Sequence, residues 1–154
     1  MKYKRFRIKN FKGIKDTTIE LQGFASASVF AFVGLNESGK TTILEAIHSF
    51  SPEGAVSELA GDAKWVGVPI KDRVPRHQLS NFSGDVSVAA TVSLDANDKK
   101  AIIAHTIREM ALHIDPDRFP DEIIFERQQR FTDGDFQKSY FRARPERVEW
   151  PGWR

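Results

Sequence analysis

Nine consecutive residues carry the clearest chemistry in the sequence: Gly34-Leu35-Asn36-Glu37-Ser38-Gly39-Lys40-Thr41-Thr42. They meet the pattern Gly-x-x-x-x-Gly-Lys-Ser/Thr at every defined position. Gly34 and Gly39 let a backbone turn tightly and approach an anion with no Cβ in the way. Loop N–H groups and the start of a following helix then point at that anion, with the helix dipole behind them. In such a loop Lys40 would bridge β- and γ-phosphates. The Thr41 hydroxyl would ligate Mg2+, and Thr42 would lie near the α-phosphate. The bland alternative is a Gly- and Ser-containing turn that merely starts a helix.

Both flanks fit a phosphate loop. Residues 29–33 (Val-Phe-Ala-Phe-Val) form an unbroken apolar run, the pattern of a strand buried on both faces. Ile43, Leu44, Ile47 and Phe50 recur at helical spacing, so a helix is expected over about 39–50, ended by Ser51-Pro52.

The remaining elements read as scaffold. Residues 3–10 alternate, with Phe6 and Ile8 on one side and Arg5, Arg7 and Lys9 on the other, which predicts a half-buried strand. Asn10-Phe11-Lys12-Gly13 breaks it, and residues 16–22 alternate again as its antiparallel partner. Gly23 to Ser28 reads as a small-residue loop, and residues 51–84 as a long excursion with a short helix near 55–60. Within that excursion, Arg73, Arg76 and His77 read as surface charge, with contact to a phosphate the alternative. Val86, Val88, Ala90, Val92 and Leu94 alternate as a strand. Asp95-Ala96-Asn97-Asp98 offers N-cap residues to an amphipathic helix over 99–114, stopped by Asp115-Pro116. The runs 123–131 and 136–142 flank Thr132-Asp133-Gly134-Asp135 and predict a hairpin. The tail ends on Trp150 and Trp153, rings that something should cover.

Composition bounds the class. The chain has 154 residues, 40% hydrophobic and 29% charged, as a soluble globular protein would. No apolar run approaches the ~20 residues that span a bilayer, and no secretion signal opens the chain. There is no cysteine, which excludes disulfides and thiolate metal sites and is consistent with a cytoplasmic location. Net charge is +2, too small to announce nucleic acid. Lys2, Lys4, Arg5, Arg7, Lys9, Lys12 and Lys15 do crowd the first residues. A solvated strand face beside an acidic partner strand accounts for most of them, with phosphate contact the alternative.

Other constellations are weaker. Asp121-Glu122 precedes its apolar run, so it is not the acid that ends a Mg2+-binding strand. His48, His77, His105 and His113 match no zinc spacing. Gln128 and Gln129 read as surface residues of a hairpin strand, with a nucleotide metal the alternative. No Asp-x-x-Gly or Asn-Lys-x-Asp string occurs, which excludes a GTPase, and a hairpin-rich second half argues against a small-molecule kinase.

Two stretches together carry a family resemblance: Ile8-Lys9-Asn10-Phe11-Lys12-Gly13-Ile14, and Gly34 to Ile47 reading GLNESGKTTILEAI. With these residues the chain resembles the N-terminal ATP-binding lobe of SMC/RecF/OLD-like ATPases, in the ABC-type branch of the P-loop fold. The resemblance implies an α/β half-domain spanning 1–154, with a mixed sheet and an antiparallel portion. It implies that ATP and Mg2+ are held by Gly34, Asn36, Glu37, Ser38, Gly39, Lys40, Thr41 and Thr42, with Thr41 on the metal. It also implies that Lys12 approaches the phosphates. In such proteins a second half brings the signature loop, the Walker B acid and a switch histidine. None of these is visible here: Phe82-Ser83-Gly84-Asp85 lies too early and lacks the second Gly. Two such heads sandwich two ATP molecules and work on DNA or with a nuclease, in DNA repair, chromosome maintenance or phage defence. The expected partner is therefore a second copy or a complementary C-terminal lobe, with no membrane involved. The alternative reading is a nucleotide-dependent interaction module without turnover.

Overall fold

The computed structural model describes residues 1–21, 29–35, 39–50 and 69–145. The expected loop at 23–28, the short helix near 55–60 and the Trp-bearing tail lie outside the described residues. Five strands make one sheet, in the order β2-β1-β3-β4-β5. They are β1 (Lys2–Phe11), β2 (Ile14–Glu20), β3 (Gly84–Ser93), β4 (Glu122–Thr132) and β5 (Asp135–Pro145). Every neighbouring pair is antiparallel.

Register follows the alternation in the sequence. Ile8 lies opposite Thr17 on one side and Val88 on the other, and Val88 lies opposite Arg127. One face of the sheet therefore collects Phe6, Ile8, Val86, Val88, Ala90 and Phe131, and helix α1 (Lys40–Phe50) covers it with Ala46 and Phe50. Phe11, Ile8 and Phe131 are essentially sealed from solvent. Each such burial contributes about 1.5–3 kcal/mol. Phe50 reaches edge-on to Phe6 at 5.9 Å and tilted to Phe141 at 5.7 Å. The 3-10 turn Ile70–Arg73 touches β5, with Ile70 packed on this core.

The opposite face is polar, and it matches charge with charge. Arg7 donates to both carboxylate oxygens of Asp16, at 3.0 and 2.7 Å. Arg130 donates to both oxygens of Asp85, at 2.9 and 3.0 Å, and Gln128 adds a third bond at 2.7 Å. The Asp85 carboxyl is held below its usual range, chiefly by the Arg130 hydrogen bonds against the cost of desolvation. Ser87 and Thr91 are buried here too, so β3 is covered on both faces and not on one. Long side chains do the covering: Arg5 Nε donates to Thr91 Oγ1 at 3.2 Å.

The β4–β5 hairpin closes through Asp133 and Gly134, with φ of 49° and 81°, the two left-handed residues that a twist-matched two-residue turn requires. This tip is tied down. Gly134 N donates to Phe82 O at 3.0 Å, and Asp133 N donates to Ser83 Oγ at 2.9 Å. A Cβ at position 134 would stand 2.4 Å from Leu79 O.

Two expectations are corrected. Residues 29–33 form no strand, and Val29 and Val33 are 84% and 95% exposed. A strand buried on both faces needs backbone neighbours, and the five strands present pair only among themselves. The second helix, α2, spans Ala96–Met110 and stops before Ile114. Asp95 and Asp98 cap each other's backbone N–H at its start. At its end the chain leaves through left-handed Ala111, whose N–H returns to Ile107 O.

Candidate nucleotide-binding site

Helix α1 fixes the geometry of the glycine loop. Gly39 enters it at φ +86°, and the first helical bond runs from Ile43 N to Gly39 O at 3.0 Å. The N–H groups of Lys40, Thr41 and Thr42 precede that bond, so they have no helical acceptor. No acidic residue stands in the first turn to compete for them. They are donors facing the loop, where an anion would complete them.

Lys40 turns back over the loop. Its Nζ donates to the carbonyls of Gly34 at 2.8 Å and Leu35 at 2.5 Å. The ammonium thus lies over residues 34–35, beside the helix start. Thr41 is exposed and follows it in sequence. Two glycines, the N–H groups of a helix start and a lysine just after the second glycine fit a polyphosphate. Lys40 and the N–H groups of 40–42 would hold it, and Thr41 would ligate Mg2+, which neutralises phosphate charge when bound. Asn36, Glu37 and Ser38 lie outside the described residues.

Lys12 is brought to the same helix but to a different group. The residue adopts φ 51° in the β1–β2 turn, and its N–H donates to Arg73 O at 2.8 Å. Its Nζ pairs with Glu45 Oε2 at 2.7 Å in a largely shielded contact. Glu45 falls inside the GLNESGKTTILEAI stretch, but its pairing with Lys12 emerges only once α1 is docked on β1.

Gln128 and Gln129 are not a pair of surface residues. Gln128 is committed to Asp85. Gln129 is only 3% exposed, and its Nε2 has no hydrogen-bond partner among the described residues. Leaving such a group unmade costs about 1–3 kcal/mol. The alternation Phe125, Arg127, Gln129, Phe131 is the signal that places it on the helix-covered face. Asp121 pairs with Lys99 at 2.5 Å and Glu122 with Lys4 at 3.5 Å, so both acids are structural. No cluster of potential metal ligands occurs among the described residues.

An antiparallel sheet backed by a helix that opens on a glycine-lysine loop defines the class: the N-terminal lobe of a P-loop ATPase head. The family model described as an AAA ATPase domain matches residues 1–150, and the chain belongs to that family. A solved structure from work on ATP-driven dimerization and DNA-stimulated activation of SMC ATPases has the same fold, with a TM-score of 0.54. At 21% identity it covers 96% of this chain and 72% of that one. No curated protein matches the sequence.

Proposed function

We propose that this chain binds ATP with Mg2+ through residues 34–42, as one lobe of an ATPase head that acts on DNA. The arrangement at α1 carries the reading: left-handed Gly39 starts the helix, and the Lys40 ammonium turns back over the carbonyls of Gly34 and Leu35. Thr41 would take the metal. Asn36, Glu37 and Ser38 would wrap the phosphates as they do in the resembling ATPases.

The complementary lobe, or a second copy, supplies the acid for hydrolysis in this proposal. The exposed run Val29, Val33 and Leu35 supports that view. It is an apolar stretch beside the loop, ready to be covered by added strands. The SMC relative's ATP-driven dimerization is consistent with the same arrangement. DNA repair and phage defence are the settings in which the resembling ATPases work.

Lys40→Ala tests the site. Titration calorimetry with ATP and Mg2+ should show affinity weakened about 10- to 100-fold, the value of one or two hydrogen bonds to charged groups. Stability should move by less than about 1 kcal/mol, because the side chain's described bonds are to the carbonyls of an exposed loop. Unchanged ATP affinity would refute the assignment.

A further inference from the structure

On the polar face of the sheet most described cations are matched to an acid. There Arg7 and Lys9 share Asp16, Arg130 holds Asp85, and Arg144 lies 3.8 Å from Glu126. Lys138 and Arg142 form no ion pair among the described residues. Instead they grip one ring: Lys138 Nζ stands 5.0 Å and Arg142 Cζ 4.7 Å from the centre of Tyr140. The ring holds together two like charges whose residues are four apart on the strand. Both are exposed.

The backbone beside them is bordered by β4 alone among the described strands. β5 is the last strand in the sheet order, eleven residues long, and its only proline closes it at Pro145. No described strand pairs with its outer side. An open edge of this length is a template for another strand. A second copy is a poor occupant. In the full-length antiparallel register, centred on Tyr140, Lys138 would face Arg142 of the other molecule, and like charges directly opposed destabilise a pair. On the reverse face of β5, Phe141 is half exposed while stacking on Phe125.

We propose that the outer edge of β5 is a docking strand for an extended acidic segment of a partner protein. The segment adds as a sixth strand. It sets carboxylates opposite Lys138 and Arg142 and apolar side chains against Phe141 on the other face. The two cations that reject a second copy of β5 are the ones that select the acid. This interaction is separate from the nucleotide loop and does not depend on it.

The test uses the full chain and a fluorescent eleven-residue peptide alternating Glu and Val, followed by anisotropy. The peptide should bind, and methylating every second backbone amide should abolish binding, since a strand pairs through its N–H groups. The double variant Lys138→Glu/Arg142→Glu should weaken the Glu peptide by about tenfold or more and should gain binding to a Lys-Val peptide, as cross-strand charge pairing requires. Failure of the Glu peptide to bind overturns the proposal, as does binding that survives amide methylation. A single-stranded oligodeoxynucleotide that binds through Lys138 and Arg142 while the peptide does not would assign the face to nucleic acid. Dimerisation of the wild-type chain abolished by the double variant would assign it to a second copy.

Discussion

Compare β4 with residues 29–35. Both contain large apolar residues, and both read from the sequence as strand: 29–33 as one buried on both faces, 123–131 as one arm of a hairpin. β4 is hydrogen-bonded on each side, to β3 and to β5, and Phe131 within it is 1% exposed. Residues 29–35 lie outside the sheet, with Val29, Val33 and Leu35 in solvent. The difference is one of neighbours, not of composition. An apolar run states a demand for burial, and only the rest of the assembly decides whether the demand is met. The sheet has its own core, whereas residues 29–35 leave most of their large apolar side chains in solvent.

The strongest way to break this contrast is to damage the scaffold. Phe131→Ala removes a ring packed against Phe82 and Phe136 and should cost about 3–5 kcal/mol in urea unfolding. A loss under 1 kcal/mol would mean that the hairpin is not part of the core. A smaller effect is expected on the polar face. Asp85→Asn keeps the shape but removes the charge that Arg130 grips, and should cost about 1 kcal/mol at neutral pH. The native carboxyl titrates below its unfolded value. Its contribution is therefore fully present above the ordinary carboxylate pKa of about 4 and is lost as pH falls through the depressed native one. Wild type and variant should converge in stability on acidification; a constant gap down to low pH would exclude the ion pair as the cause. The smallest effect should come from the exposed run. Val33→Asp should shift the stability of this chain by less than about 0.5 kcal/mol. In a protein carrying the complementary lobe, the same change should prevent the lobes from associating in size-exclusion chromatography. A large loss in the isolated chain would show that residue 33 is already packed.

Much of the fold was legible in the sequence because strand alternation is a local signal. β1, β2 and the β4–β5 hairpin fall within a few residues of expectation, and Asp133-Gly134 announces its turn by chemistry alone. The start of α1 was legible for the same reason, since Gly39 and Lys40 belong to one short motif. What escaped was non-local. Glu45 meets Lys12 across 33 residues, and Gln129 is buried because a helix lies over its face of the sheet. The early end of α2 escaped because Ala111 takes a left-handed conformation that its side chain does not advertise.

The fastened hairpin tip has a practical consequence. Surface turns are usually where a chain accepts foreign sequence, but at Asp133-Gly134 added residues would lift the turn off Phe82 and Ser83 and release the strand that follows them. The β1–β2 turn has side-chain room at Gly13, where no described atom lies within 4 Å, but Lys12 beside it is bonded to Arg73 O and to Glu45. A reporter or affinity tag spliced into this lobe must spare both turns.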